Sequence, residues 1–136
     1  MRPFGLKIVT PDGLRYDGQA EQVIVRTVTG DMAVMAGHIN CVAPLGMGQA
    51  MFRIDGEKRY AACIGGILSV VNGQVHIVAT TFEWADDINE DRAAVAEQKA
   101  RKVLDDKNAD DAQLQMAEAK LKRALIRQNV ATHKVK

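Results

Sequence analysis

The hydrophobic period of this sequence changes once, near Trp84. Between Leu6 and Phe82, apolar and polar residues alternate over short stretches separated by glycine-containing turns, a pattern typical of half-buried strands. Between Asp86 and Gln128, alanine and leucine recur at the spacing of an amphipathic helix, with one interruption. The change predicts one domain of strands and one of helices, because a single element cannot follow both periods.

The first predicted domain, residues 1–85, is a β-sandwich or flattened barrel of short strands. Asp55-Gly56 and Asn72-Gly73 each separate two strand-like stretches, and such dipeptides are strong signals for tight hairpins. Gly65-Gly66 lies inside a strand-like stretch, where it predicts a bulge or a close approach of another backbone.

The second predicted domain, residues 86–136, is an antiparallel hairpin of two helices joined by a polar turn at 105–111. Acidic residues crowd the start of the first helix and basic residues the end of the second, which suits the helix dipoles. Because alanine buries little surface, the seam between the helices is expected to be weak and the hairpin able to open. The predicted packing faces consist of Ala93, Ala96, Ala100, Val103 and Leu104, and of Leu114, Ala117, Leu121, Ala124, Leu125 and Gln128.

Composition disfavours several classes of protein. With 18 basic and 17 acidic residues, the net charge of +1 gives no electrostatic reason to expect nucleic acid as a partner. No apolar run approaches the roughly 18 residues of a membrane-spanning helix, and residues 1–7 lack the apolar centre of a secretory signal. We therefore expect an intracellular protein in which Cys41 and Cys63 are buried small side chains.

The sequence predicts neither catalytic residues nor a metal site. His38, His76 and His133 are too scattered for metal ligands, and His38 with Cys41 supplies too few. No grouping of nucleophile and base, phosphate-cradling loop or credible acid pair emerges.

Short motifs spread over the whole chain are each only a turn or bulge signal, but their order and spacing closely resemble the epsilon subunit family of the F-type ATP synthase, called delta in mitochondria. The motifs are Thr10-Pro11-x-Gly13, Tyr16-x-Gly18, Thr29-Gly30-Asp31, Gly37-His38, Leu45-Gly46-x-Gly48, Asp55-Gly56, Gly65-Gly66-x-Leu68-x-Val70, Ala79 to Ala85 and Ile88 to Ala93.

The resemblance implies a β-sandwich that grips the gamma subunit and touches the ring of c subunits. It also implies a helical hairpin that extends along gamma towards the alpha and beta catalytic subunits and inhibits ATP hydrolysis. Such a protein is a rotor part without chemistry of its own. It would lie at the cytoplasmic face of a bacterial plasma membrane, peripheral to the membrane and not inserted in it.

Two groups of residues are expected at interfaces. By resemblance, Asp31, Gly37 and His38 face gamma and the c-ring, although Ala36 and Asn40 stand where the family often has proline. The basic patch on the second helix has two interpretations that stay open: a solvated helix end that suits the dipole, or a contact with an acidic stretch on beta. The patch consists of Lys120, Lys122, Arg123 and Arg127.

The start of the first helix resembles the family's ATP-binding motif, with Asn89 in place of its aspartate. Lys99 and Lys122 stand where arginine is expected, and Ile126 is apolar where another would be. Because lysine lacks the bidentate fork of arginine, we favour a capped helix start over a physiological ATP sensor. No cofactor is required, and ATP is a candidate regulatory ligand of a weak site formed by Glu83, Ile88, Asn89, Arg92, Ala93, Lys99 and Lys122.

Three functions are candidates for such a chain: a rotor-stalk subunit that brakes hydrolysis, a stand-alone nucleotide-sensing module, and an enzyme on a β-sandwich. The enzyme lacks any catalytic constellation, and the sensor would need a tighter site than Asn89 favours. The rotor subunit also accounts for the weak, alanine-lined hairpin, so it is the predicted function, with the nucleotide-sensing module as the alternative.

Overall fold

The computed structural model describes residues 1–134 and divides into two compact units, the first spanning Met1–Trp84 and the second beginning at Ala85. The first unit contains seven strands, and the second contains a single 3₁₀ turn and two helices. The strands are β1 (Phe4–Thr10), β2 (Gly13–Ala20), β3 (Gln22–Thr27), β4 (Gly30–Val34), β5 (Cys41–Ile54), β6 (Glu57–Val71) and β7 (Gln74–Trp84). The 3₁₀ turn is Ala85–Asp87, and the helices are α1 (Glu90–Leu104) and α2 (Asp111–Ala131).

The seven strands form one hydrogen-bonded sheet in the order β2-β1-β7-β6-β5-β3-β4. Every neighbouring pair is antiparallel except β1 and β7. Only Glu21 separates the end of β2 from the start of β3, although five steps of the sheet lie between these strands. Five steps in a flat sheet measure about 24 Å, whereas the link from Ala20 to Gln22 reaches about 7 Å. The sheet must therefore fold back on itself, and the predicted β-sandwich is confirmed.

The core of the sandwich comes from alternate residues of β1, β3, β5, β6 and β7, with Ile8, Val23, Phe52, Leu68 and Ile77 all fully buried. Phe52, Phe82 and Trp84 form an aromatic cluster at the edge of this core. The ring centroids of Phe82 and Phe52 lie 5.0 and 5.4 Å from that of Trp84, and the Arg59 guanidinium carbon lies 3.9 Å from the Trp84 ring centroid. The last residue of the sheet unit is thus held on several sides before the chain enters the helical unit.

Both predicted hairpins are present. Asp55 and Gly56 have φ values of 53° and 78°, and Asn72 and Gly73 have values of 50° and 80°. Consecutive positive φ angles are what a two-residue turn between twisted strands requires. The strands they connect are longer than the sequence suggested, because β5 runs without a break from Cys41 through Pro44 and Gly46 to Ile54.

Gly66 provides the close approach predicted at Gly65-Gly66. A Cβ atom at Gly66 would lie 2.1 Å from the carbonyl oxygen of Val78, and the residue has a φ of +117°. Both the space and the backbone angle exclude a side chain there, so β6 and β7 can come together at this point only with glycine.

The helical unit is a hairpin with capped helices. The Asn89 carboxamide oxygen accepts a hydrogen bond from the Arg92 amide at 3.0 Å, and Asp110 and Gln113 form a reciprocal capping box at the start of α2. The helix α2 continues past Gln128 to Ala131, three residues further than the periodicity indicated.

The predicted alanine seam is confirmed in its centre and wrong at its edges. The alanines Ala93, Ala100, Ala117 and Ala124 are at most 3% exposed. In contrast, Val103 and Leu125 are 37% and 41% exposed, although the sequence placed both on the packing faces. They lie at the margins of their stripes, where small alanine neighbours let the helices meet without covering larger side chains.

Substituting Gly66 by alanine should destabilise the sheet unit by more than about 3 kcal/mol, because the new methyl group would overlap backbone as well as strain the φ angle. Gly56→Ala is the matched control: its φ is +78°, but nothing lies within 4 Å of the added Cβ. That control should lose only about 1 kcal/mol. Denaturant unfolding followed by Trp84 fluorescence measures both, and equal losses would contradict the close packing described for Gly66.

Candidate functional site

The predicted ATP-site residues do different things in the structure. Ile88 is 2% exposed and Ala93 is 3% exposed, so neither presents a free surface. Asn89 uses its side chain to cap α1, while Arg92 is exposed in the first turn. The start of α1 is therefore a capped helix, the interpretation that the sequence favoured.

The remaining predicted ATP contacts lie on three different elements. Glu83 lies in β7, in the sheet unit, and is half-buried. Lys99 lies on α1 beside a groove of the hairpin, whereas Lys122 is exposed on α2 and does not line that groove. Its neighbour Arg123 does line the groove. The cation that α2 presents to the groove is therefore one residue further along the chain than the resemblance implied.

The groove runs between the two helices on one side of the hairpin and encloses about 400 Å³. Its lining combines apolar residues with cations from both helices and includes no carboxylate. Apolar surface beside several positive charges suits an anionic ligand or an acidic protein segment. We call this the basic groove; its apolar lining includes Ala96, Ala100, Val103, Met116 and Ala117, and its cations are Lys99, Lys120, Arg123 and Arg127.

The predicted interface residues of the sheet unit lie on two different segments. Asp31 is the second residue of β4 and accepts a hydrogen bond from the Arg26 guanidinium at 2.7 Å, so its charge is already paired across the β3–β4 hairpin. Gly37 has a φ of +84° in the loop after β4. In the same loop the His38 Nδ1 atom lies 2.8 Å from the Ile39 carbonyl oxygen and 3.9 Å from the Cys41 sulfur.

Exposed apolar side chains form a surface of the sheet that the sequence did not reveal. Pro44 pairs with Ile67, Ile67 with Val78 and Val78 with Val9 on consecutive strands, so these side chains share one face. Ile67 and Val78 are 50% and 54% exposed. The row continues at both ends, where Leu14 pairs with Val9 and the amide of Val28 donates to Pro44. We call Leu14, Val9, Val78, Ile67, Pro44 and Val28 the apolar row.

A surface of this kind is informative because monomeric proteins rarely expose contiguous apolar patches unless something binds there. The signal available in the sequence was Val78 between Ile77 and Ala79 in β7, because strict alternation would place a polar residue there in a strand with one solvated face. The alternating pattern alone is compatible with Val78 either in the core or on the surface. Its pairing with Ile67 of β6 and Val9 of β1 is what shows that it belongs to the apolar row.

No cluster of side chains within residues 1–134 has the composition of a metal site. Over the same residues, neither helix is long and apolar enough to cross a membrane. Burial raises the pKa of the Cys63 thiol to about 12, which makes it unreactive at neutral pH. The surfaces that remain for function are the basic groove, the apolar row and the loop around His38.

Comparison with known proteins is consistent along the whole chain. The family model for the ATP synthase delta/epsilon chain, beta-sandwich domain, matches residues 3–85. The ATP synthase epsilon chain of Bacillus velezensis is 41% identical over 131 residues, covering 96% of this chain and 98% of that protein. The epsilon chain of Bacillus subtilis is 40% identical over 110 residues, which is 81% of this chain and 83% of that protein.

A solved structure shows the same fold. A chain in the mitochondrial ATP synthase of Euglena gracilis, solved as its OSCP/F1/c-ring portion, superimposes with a TM-score of 0.80 at 24% identity. The alignment covers 94% of this chain and 80% of that one.

Glu97 supplies a pH test of the hairpin. Hydrogen bonds from Arg101 at 2.7 Å and Gln128 at 2.8 Å lower the pKa of its carboxyl group. A lowered folded pKa stabilises the hairpin above the ordinary value of about 4.3, and this stabilisation is lost as the pH falls through the folded value. The helical melting midpoint should therefore fall as the pH drops below about 4.3, and Glu97→Gln should make this fall shallower. Parallel pH profiles for the two proteins would contradict the assignment.

Proposed function

The chain belongs to the ATP synthase epsilon chain family, and on that premise we propose that it links the gamma subunit to the ring of c subunits and brakes ATP hydrolysis with its helical hairpin. As an epsilon chain it is a non-catalytic part of the central stalk. We place it on the cytoplasmic face of a bacterial plasma membrane, held there by the other subunits. The division into a docking domain, residues 1–85, and a regulatory domain, residues 86–136, stays a prediction.

The observation that carries the anchoring half of this proposal is the apolar row. Its central side chains are about half exposed, uncharged and aligned across neighbouring strands, and such a flat apolar surface matches a protein partner that stays bound. We assign gamma to this surface. The loop that contains Gly37 and His38, together with the β3–β4 turn at Asp31, is assigned to the c-ring end of the same unit.

The braking half rests on the hairpin. Alanines fill its seam, and a buried alanine contributes far less than a leucine at roughly 25 cal/mol per Å² of apolar surface. Both helices carry their own caps, so each can remain helical when the pair separates. An opened α2 would carry Lys120, Arg123 and Arg127 of the basic groove towards the acidic stretch on beta that the resemblance implies.

ATP is a second candidate ligand, and the basic groove favours it because four cations there lie beside an apolar lining. The predicted site also includes Asn89, whose side chain is occupied as a cap. A nucleotide bound across the closed helices would hold the hairpin shut, which makes ATP a regulator and not a cofactor.

Replacing both Ile67 and Val78 by lysine should weaken binding to gamma by about tenfold or more, because two charges would be desolvated in an apolar contact. Binding of the full chain to an alpha-beta-gamma complex measures the effect. Gln19→Lys, which adds one charge at another exposed position of the sheet unit, should bind normally. Equal binding by all three proteins would remove the apolar row from the gamma interface.

Arg123 and Lys122 form a matched pair for the brake, since they are neighbours and only Arg123 lines the basic groove. Arg123→Glu should raise the concentration needed for half-maximal inhibition of hydrolysis about tenfold, because it puts like charges together at the beta contact. Lys122→Glu should change it much less. If the two reversals act equally, net charge and not the groove determines the contact.

Millimolar ATP should raise the melting temperature of the isolated chain if the groove binds nucleotide, and Arg123→Ala, which removes one of the groove's cations, should reduce the rise. Arg101→Ala removes an exposed arginine of α1 that does not line the groove and should keep the rise. An unchanged melting temperature at millimolar ATP would exclude nucleotide as a regulator of this chain.

A further inference from the structure

Polar contacts across the hairpin lie at different distances from its turn. Near the middle of the seam, the Gln128 amide nitrogen donates to the Glu97 carboxylate at 2.8 Å. At the open end, the Lys134 ammonium donates to the backbone carbonyl of Ile88 at 2.7 Å. The alanines between them supply contact area but no directional bond.

The contact of Lys134 lies where the two helices begin and end. Ile88 immediately precedes the cap residue Asn89, and the α1 ladder starts with the bond from the Ala93 amide to the Asn89 carbonyl. The Ile88 carbonyl is therefore outside the ladder and available to an external donor. Lys134 lies two residues beyond Thr132, the last residue of the α2 cap.

The contact between Lys134 and Ile88 lies far from the turn about which the helices would separate. The helix α1 has 15 residues, so at 1.5 Å per residue the contact lies about 22 Å from the turn between the helices. Two helices that separate while staying hinged at the turn must break the contact farthest from the hinge. A bond at the open end of the hairpin therefore has to break before the helices can move apart.

The surroundings strengthen the contact. Lys134 is half-buried, and Ile88, Val130 and Ala131 are at most 3% exposed. A hydrogen bond from a charged donor contributes more than a neutral one, and partial burial reduces its screening by solvent. The bond therefore adds a directional, charge-assisted contact at an end of the hairpin where Ile88 and Val130 are already buried.

We propose that Lys134 is a latch, bonded to the Ile88 carbonyl, that sets how often the closed hairpin opens. Lys134 is a positioning residue: it acts on the population of the closed hairpin and not on a ligand. The opening itself is a property of the isolated chain. Only its consequence, stronger inhibition of hydrolysis when the latch is broken, rests on the proposed function.

Thiol labelling of a cysteine placed in the seam measures how often the hairpin opens, even when only a small fraction of the molecules is open. Ala124 is 1% exposed, so the thiol of an Ala124→Cys variant reacts only when the helices part. Cys41→Ala removes the half-buried native thiol, and Cys63 can stay because its pKa of about 12 keeps it protonated. Ala100→Cys, on the facing helix and 3% exposed, repeats the measurement if the first cysteine disturbs packing.

Lys134→Met should raise the labelling rate about tenfold or more, as expected for losing one charge-assisted bond. Lys134→Arg, which keeps a charged donor, should stay closer to the parent. Lys107→Met removes the same charge from the exposed turn and should leave the rate unchanged. The helical circular dichroism of all four proteins should be the same, since opening does not require unfolding.

Equal labelling rates for Lys134→Met and Lys107→Met would overturn the latch. So would a loss of helical signal that accounts for the faster labelling, because that result shows unfolding and not separation. Inhibition of hydrolysis by the same variants keeps the two proposals apart: faster labelling without any inhibition by the unmodified chain supports the latch and rejects the brake.

Discussion

The single residue between β2 and β3 is the constraint on which the sheet unit depends. Because strands five steps apart must meet across Glu21, the sheet has to fold over. This folding encloses Ile8, Phe52 and Ile77 and turns the other face of β6 and β7 outwards. The apolar core and the apolar row are thus two consequences of one topological requirement, and Gly66 lets the neighbouring strands β6 and β7 approach closely within the sheet.

The helical unit is held by weaker forces, and this difference is the physical basis of the proposed function. The sandwich buries large aliphatic and aromatic side chains, whereas the hairpin seam buries alanines. Local opening begins where few apolar contacts must be broken. A module that keeps its docking surface while its helices separate would combine a stable anchor with a movable brake.

Local chemistry made part of this structure readable from the sequence. Asp55-Gly56 and Asn72-Gly73 specify their turns through backbone angles that few other residues adopt, and the alanine stripes specify the seam through period alone. The full length of β5 was not readable, because Pro44 and Gly46 normally end strands. Here both lie within a paired strand.

The candidate sites needed three-dimensional information for the same reason. The exposure of Ile67 and Val78 depends on partners far away in the sequence. Arg123 and not Lys122 lines the basic groove, and this depends on how α2 is rotated about its own axis. Neighbouring residues of a helix point about 100° apart, so an error of one residue places a side chain on a different face. Lys134 lies beyond the periodic part of α2, so no pattern marked its contact with Ile88.

The most direct test of a stable anchor joined to a movable brake is ATP hydrolysis by an alpha-beta-gamma complex, measured with the full chain and with a chain ending at Trp84. The account predicts that the full chain lowers the rate. The shortened chain should compete with it for gamma while leaving the rate unchanged. Equal inhibition by both chains, or no effect of the full chain despite binding, would contradict the account.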